Sequence, residues 1–149
     1  MIPLSIRQNR INYTSGSGQT LTMFGAVVIR TNGMNNYLLS MELNKNSPLI
    51  TNLSIKKWPL FSKKTYKFLN SLNNETILNV DCEYTIGNTE EIEIVDYKYN
   101  LSLITEKCKN EKISFENKYW IDEKGFIWKS VQWLGKKNIA QISIINPPM

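Results

Sequence analysis

From Thr76 onward the chain is written in short runs of alternating apolar and polar residues, separated by turn-forming dipeptides, and this period of two is incompatible with helix. The runs at 76–86 (TILNVDCEYTI), 91–105 (EIEIVDYKYNLSLIT), 112–121 (KISFENKYWI), 126–134 (FIWKSVQWL) and 139–145 (IAQISII) read as consecutive strands. Their joins carry Gly87-Asn88, Lys109-Asn110, Glu123-Lys124-Gly125 and Gly135-Lys136, residues suited to tight reversals. In the second run Val95, Tyr97, Tyr99, Leu101 and Leu103 share one face, while Asp96, Lys98, Asn100 and Ser102 share the other. That is the signature of a half-buried antiparallel strand. Joins this short make each strand pair with its chain neighbour, and a twisted sheet with edges to hide curls on itself. The expected fold is mainly β: an antiparallel meander forming a strongly curved sheet or partly open barrel, with one or two short helices, in a single domain over residues 1–149.

The first half is less regular. Segments 5–13 and 20–31 read as a hairpin around the flexible TSGSG at 14–18, with Gly25 marking either a bulge or the close approach of another backbone. Met34, Tyr37, Leu38 and Met41 fall at helical spacing, which favours a short helix over 34–43. Pro59 interrupts the stretch 53–72, which fits a helix or an irregular strand.

What the chain lacks narrows its chemistry. It contains no histidine, which removes Ser-His-Asp and Cys-His nucleophile pairs and imidazole metal sites. Its two cysteines, Cys82 and Cys108, have no zinc or redox spacing. If the strands carrying them turn near Gly87, the sulfurs lie tens of ångströms apart, at about 3.3 Å per residue, so two free thiols are expected. No cofactor and no metal are expected. No run approaches the roughly 18 apolar residues of a membrane span, and MIPLSIRQNR lacks the layout of a signal peptide.

Charge is unevenly placed. Residues 1–74 hold nine Lys/Arg against the single acid Glu42, whereas residues 75–149 hold nine Lys against twelve Asp/Glu. Within the basic half, Lys56, Lys57, Lys63, Lys64 and Lys67 interleave with Trp58, Tyr66 and Phe68. Cations beside stacking platforms suit single-stranded nucleic acid, an anionic polysaccharide or a phospholipid headgroup. They equally suit a solvated face with aromatic core anchors. The acidic clusters Glu90, Glu91, Glu93, Asp96 and Asp122, Glu123 read as a solvated strand face and a turn rather than as a catalytic carboxylate pair, so no catalytic residue is assigned. GSG at 16–18 lacks the Gly-Lys-Ser/Thr ending of a phosphate loop.

The densest feature is Asn117-Lys118-Tyr119-Trp120-Ile121-Asp122, then Gly125, then Trp128-Lys129-Ser130-Val131-Gln132. A hairpin here sets Trp120 and Trp128 near each other, with Ser130 and Gln132 on the Trp128 face, the make-up of a sugar platform flanked by hydrogen-bonding groups. Tyr119, Trp120, Trp128, Ser130 and Gln132 are the candidate ligand-binding residues.

This stretch resembles the group 4 capsule polysaccharide lipoproteins of the YjbF/GfcB type, at Asn117, Tyr119, Trp120, Asp122, Gly125, Trp128, Ser130 and Gln132. The tail IAQISIINPP is similar to the family's closing strand, and TLTMFGAVVIRTNGM is more weakly similar to an earlier one. Set against that resemblance, the chain is expected to lack the family's lipobox cysteine and usual first strands. The resemblance implies a non-enzymatic accessory protein of capsule or exopolysaccharide production or export, at the periplasmic side of the outer membrane. Its partners would be the polymer or secretion proteins, with a homodimer through an exposed strand edge as a further expectation. The alternative is a basic β-domain binding nucleic acid or another polyanion, of which nucleic acid is the less expected partner.

Overall fold

The structure is a computed structural model that describes residues 2–7, 10–14, 18–32, 37–43, 47–51, 55–69, 72, 74–94, 96–135 and 139–143. Strands β1 (Ile2–Arg7), β2 (Arg10–Thr14), β3 (Thr20–Phe24) and β4 (Val27–Asn32) form one antiparallel sheet in chain order. A second, seven-stranded sheet follows, also in chain order. It comprises β5 (Tyr37–Leu43), β6 (Phe61–Leu69), β7 (Glu75–Ile94), β8 (Tyr97–Lys109), β9 (Ser114–Ile121), β10 (Ile127–Trp133) and β11 (Ile139–Ser143). This second sheet is strongly curled into a half-barrel, as expected of a long meander. Among the described residues helix is confined to α1 (Pro48–Thr51) and one 3-10 turn at Ile55–Lys57.

β-Bulges account for most differences from the sequence reading. Residues 37–43 are strand, not helix. A register shift between Leu38 and Ser40 brings Leu38 and Met41, three residues apart, both into the core, which imitates helical spacing. Gly87-Asn88 is likewise a bulge inside a single 20-residue strand, not a turn. The reversal falls instead between Ile94 and Tyr97, with Asp96 in the left-handed region at φ 68°. The run 91–105 is therefore two strands. The inward face also differs in part: Tyr97 is 70% exposed, Leu101 is buried as expected, and Ser102, Ile104, Glu106 and Cys108 are buried with it.

Moving the turn moves the cysteines. Cys82 stands directly opposite Cys108 in the β7–β8 register, and the two form a disulfide rather than free thiols.

In the N-terminal half, 20–31 is a tight hairpin, β3–β4, turning at Gly25-Ala26. Gly25 has φ 60°, and a Cβ there would lie 2.9 Å from the Leu49 carbonyl oxygen, the close backbone approach anticipated for it. Ala26 N donates to that same oxygen at 2.9 Å. The middle stretch 53–72 resolves into the 3-10 turn followed by β6. Residues 15–17 of the TSGSG connection and the tail at 144–149 lie outside the described residues.

One core cluster spans both sheets, joining Leu21, Met23, Val27 and Val28 to Leu38, Ile104, Tyr119 and Ile121. At one end Phe115 stacks on Trp133 with centroids 4.0 Å apart, and Tyr66 and Phe68 meet the same indole edge-on. Gly135, at φ 108°, lets the chain turn against this cluster, since a Cβ there would come within 2.6 Å of the Phe68 ring.

Candidate functional site

Alternation along β6 sends Lys64, Tyr66 and Phe68 inward and leaves Phe61 and Lys63 outside. Lys64 is thus carried into the half-barrel, where its Nζ lies 2.6 Å from Glu106 Oε1, both side chains essentially without solvent contact. The same oxygen accepts from Asn117 Nδ2 at 2.7 Å and from the Tyr119 hydroxyl at 3.2 Å. Asn117 Oδ1 in turn accepts from Trp133 N at 2.7 Å, tying β9 to β10. Glu106 Oε2 accepts no hydrogen bond of good geometry among the described residues.

Burial works against both charges, and each is rescued by the other. Burial alone pushes the Glu106 carboxyl up, but the Lys64 ammonium and the donors around it hold it below the usual carboxylate range. Burial alone pulls Lys64 down, but the Glu106 carboxylate holds it above the usual lysine range. Tyr66, Tyr84 and Tyr119 are pushed up, first by burial, so they remain protonated donors. Such a network orients and locks, and among the described residues the groups facing Glu106 are Lys64, Tyr84, Asn117 and Tyr119, with no second carboxylate. Cys82, Cys108 and Glu106 place their ligand atoms within 4.8 Å of one another, but sulfurs shared in a disulfide cannot act as thiolate ligands.

The C-terminal hairpin holds the expected ligand residues in three different roles. Tyr119 is fully buried against Glu106. Ser130 and Gln132 are buried too, and Gln132 pins the two sheets together. Its Oε1 accepts from Val28 N at 3.0 Å, and its Nε2 donates to Ala26 O at 2.7 Å and to Ser130 Oγ at 3.0 Å. Trp128 is the extra residue of a bulge between Ile127 and Lys129, which takes it out of the alternation with Ser130 and Gln132. It stacks half-buried on Tyr99 at 4.4 Å and donates from Nε1 to Asp122 Oδ2 at 3.0 Å. Trp120 lies half-buried under Lys129, whose Nζ is 4.9 Å from the ring centroid. Asp122 Oδ1 accepts from Lys124 N and Phe126 N, the turn-capping role that sequence suggested for it.

The five lysines of the basic stretch do not form one surface. Lys64 is 3% exposed and paired with Glu106; Lys56, Lys57 and Lys63 are exposed, and Lys67 is half-buried. Trp58 serves the core, meeting Tyr84 edge-on at 5.2 Å. Two of the exposed lysines, Lys57 and Lys63, border a cleft of about 640 Å³ where β5 and β6 meet the segment 47–59. Glu42, opposite Thr65 in the register, lies in the same cleft, as does Phe61, 70% exposed. Ser62, at the margin, donates to the Tyr84 hydroxyl at 3.2 Å and so links the cleft to the interior. The basic stretch read as a block does not separate Lys63 from Lys64. Parity with the inward-facing Tyr66 and Phe68 is the signal that does so.

A curled antiparallel half-barrel with a locked polar interior and a mixed-charge outer cleft is the class of β-domain these residues define. The chain belongs to the family of group 4 capsule polysaccharide lipoproteins described by GfcB and YjbF, whose model matches residues 1–144. Among solved structures it is similar to the hypothetical lipoprotein YmcC from Escherichia coli K12. That likeness has a TM-score of 0.79 at 19% identity and covers 93% of this chain and 74% of the other, so it speaks to the fold. No curated protein matches the chain. No helix among the described residues is long and apolar enough to cross a membrane.

Proposed function

We propose that this protein is a non-enzymatic accessory of capsule or exopolysaccharide production or export, associated with the periplasmic side of the outer membrane. Family membership over residues 1–144 carries this reading. Three features support it. The Cys82–Cys108 disulfide suits an oxidising compartment. Glu106, the one fully buried carboxylate among the described residues, is committed to Lys64, and Asp122 is committed to its turn. The alternative of a nucleic-acid binder loses its continuous cationic track once Lys64 is inside.

The partners proposed are the polymer itself and proteins of its secretion apparatus. β6 pairs with β7 only as far as Glu83, so from Thr85 to Ile94 the side of β7 facing away from β8 has no strand beside it among the described residues. A homodimer or a partner strand would add there. Deletion of the gene in a capsulated host, followed by quantification of surface polymer, tests the role. Reduced or mislocalised polymer, restored by the intact gene, is expected, and unchanged polymer would reject it.

A further inference from the structure

Resting on that reading, we propose that the β5–β6 cleft is a binding site for an acidic saccharide segment, with Lys57 and Lys63 engaging a sugar carboxylate and Phe61 stacking on a ring face. The cleft volume of about 640 Å³ lies within the roughly 300–1,000 Å³ of small-ligand sites. Its chemistry is what selects the class. Lys57 and Lys63 form no ion pair among the described residues, even though Asp81 stands opposite Lys63 in the register. Phe61 exposes most of a ring on the outer face of β6, where water gains nothing from it and the apolar CH face of a pyranose would.

Glu42 then discriminates. A carboxylate lining the same cleft as the two lysines disfavours a phosphate-dense chain, whose charges repeat at every unit, but it accepts hydrogen bonds from sugar hydroxyls. Two cations, one acceptor anion and one exposed ring, with the Ser62 and Thr65 hydroxyls donating to Tyr84 and Asn79 and so offering acceptor oxygens, match a ligand that is anionic yet rich in hydroxyl donors.

The test is titration calorimetry of the full chain with a hexasaccharide of alternating glucuronate and N-acetylglucosamine. A neutral dextran hexamer and inorganic polyphosphate serve as comparison ligands, at about 50 and 500 mM salt. The expected result is selective binding of the glucuronate oligomer that persists in part at high salt. Lys57→Gln with Lys63→Gln should weaken it about tenfold or more, Phe61→Ser about fivefold, and Lys98→Gln on the distant β7–β8 arm not at all. Because all these side chains are exposed, unchanged unfolding midpoints are expected to show that each variant folds. No binding by the unmodified chain, equal loss with Lys98→Gln, equal affinity for polyphosphate, or indifference to the cleft substitutions would each overturn the proposal. A polymer defect on gene deletion without cleft binding would leave the family role standing and remove the cleft. Cleft binding without a polymer defect would do the reverse.

Discussion

Lys63 and Lys64 are chain neighbours on one strand, yet they belong to opposite regions of the molecule. Lys64 is locked to Glu106 inside the half-barrel among tyrosines, whereas Lys63 borders an open cleft beside an exposed Phe61. The interior has spent its polar groups on one another, whereas Lys57 and Lys63 at the outer cleft form no ion pair among the described residues. Substitutions inside should therefore move stability, and substitutions outside should move recognition.

The largest effect is expected from breaking the buried pair on one side only. Glu106→Leu or Lys64→Met alone should destabilise the fold by about 3–5 kcal/mol in urea unfolding, because each leaves an unpaired buried charge. The double variant should recover much of that loss. Equal additive losses would mean the pair is not coupled. Next, removing the disulfide with Cys82→Ala and Cys108→Ala should cost about 2–4 kcal/mol, since the bridge closes a span of 26 residues. Gln132→Leu should cost about 1–3 kcal/mol by stranding Val28 N and Ala26 O at the junction of the sheets. Outside, Phe61→Ser or Lys63→Gln should shift stability by no more than about 0.5 kcal/mol.

Acid and alkali sharpen the same contrast. Glu106 is held below its ordinary value, so its contribution is present above about pH 4.3 and is lost as pH falls through its folded value. Lys64 is held above its ordinary value, so its contribution is present below about pH 10.4 and is lost as pH rises through its folded value. Thermal unfolding across pH should show a plateau between these limits. Glu106→Leu with Lys64→Met should flatten both flanks.

Much of this fold was legible from alternation and turn residues, because a meander with short joins has few other ways to pair. The curled antiparallel sheet and the capping of its turn by Asp122 followed directly. What misled were bulges and a weak turn. Gly87-Asn88 carries a stronger reversal signal than the actual turn before Tyr97, and taking it as the turn separated two cysteines that in fact face each other. In β5 a bulge set Leu38 and Met41 on one side and produced a helical period in a strand. In β10 another bulge removed Trp128 from the face of Ser130 and Gln132, so an apparent sugar platform separated into a half-exposed aromatic stack and an inter-sheet clamp. The Glu106–Lys64 pair was not seen because residues 42 apart in sequence meet only once the sheet curls. Its trace was a charged residue at an inward parity, between Ile104 and Cys108.

The most direct measurement is backbone amide chemical-shift mapping of the full chain during titration with the glucuronate hexasaccharide. Perturbations centred on Glu42, Lys57 and Phe61–Thr65, with Trp120, Trp128 and the strand β8 unmoved, are the expected result. Perturbations centred on the Trp120 and Trp128 hairpin, or none at saturating oligosaccharide, would contradict the division between a locked interior and a receptive outer cleft.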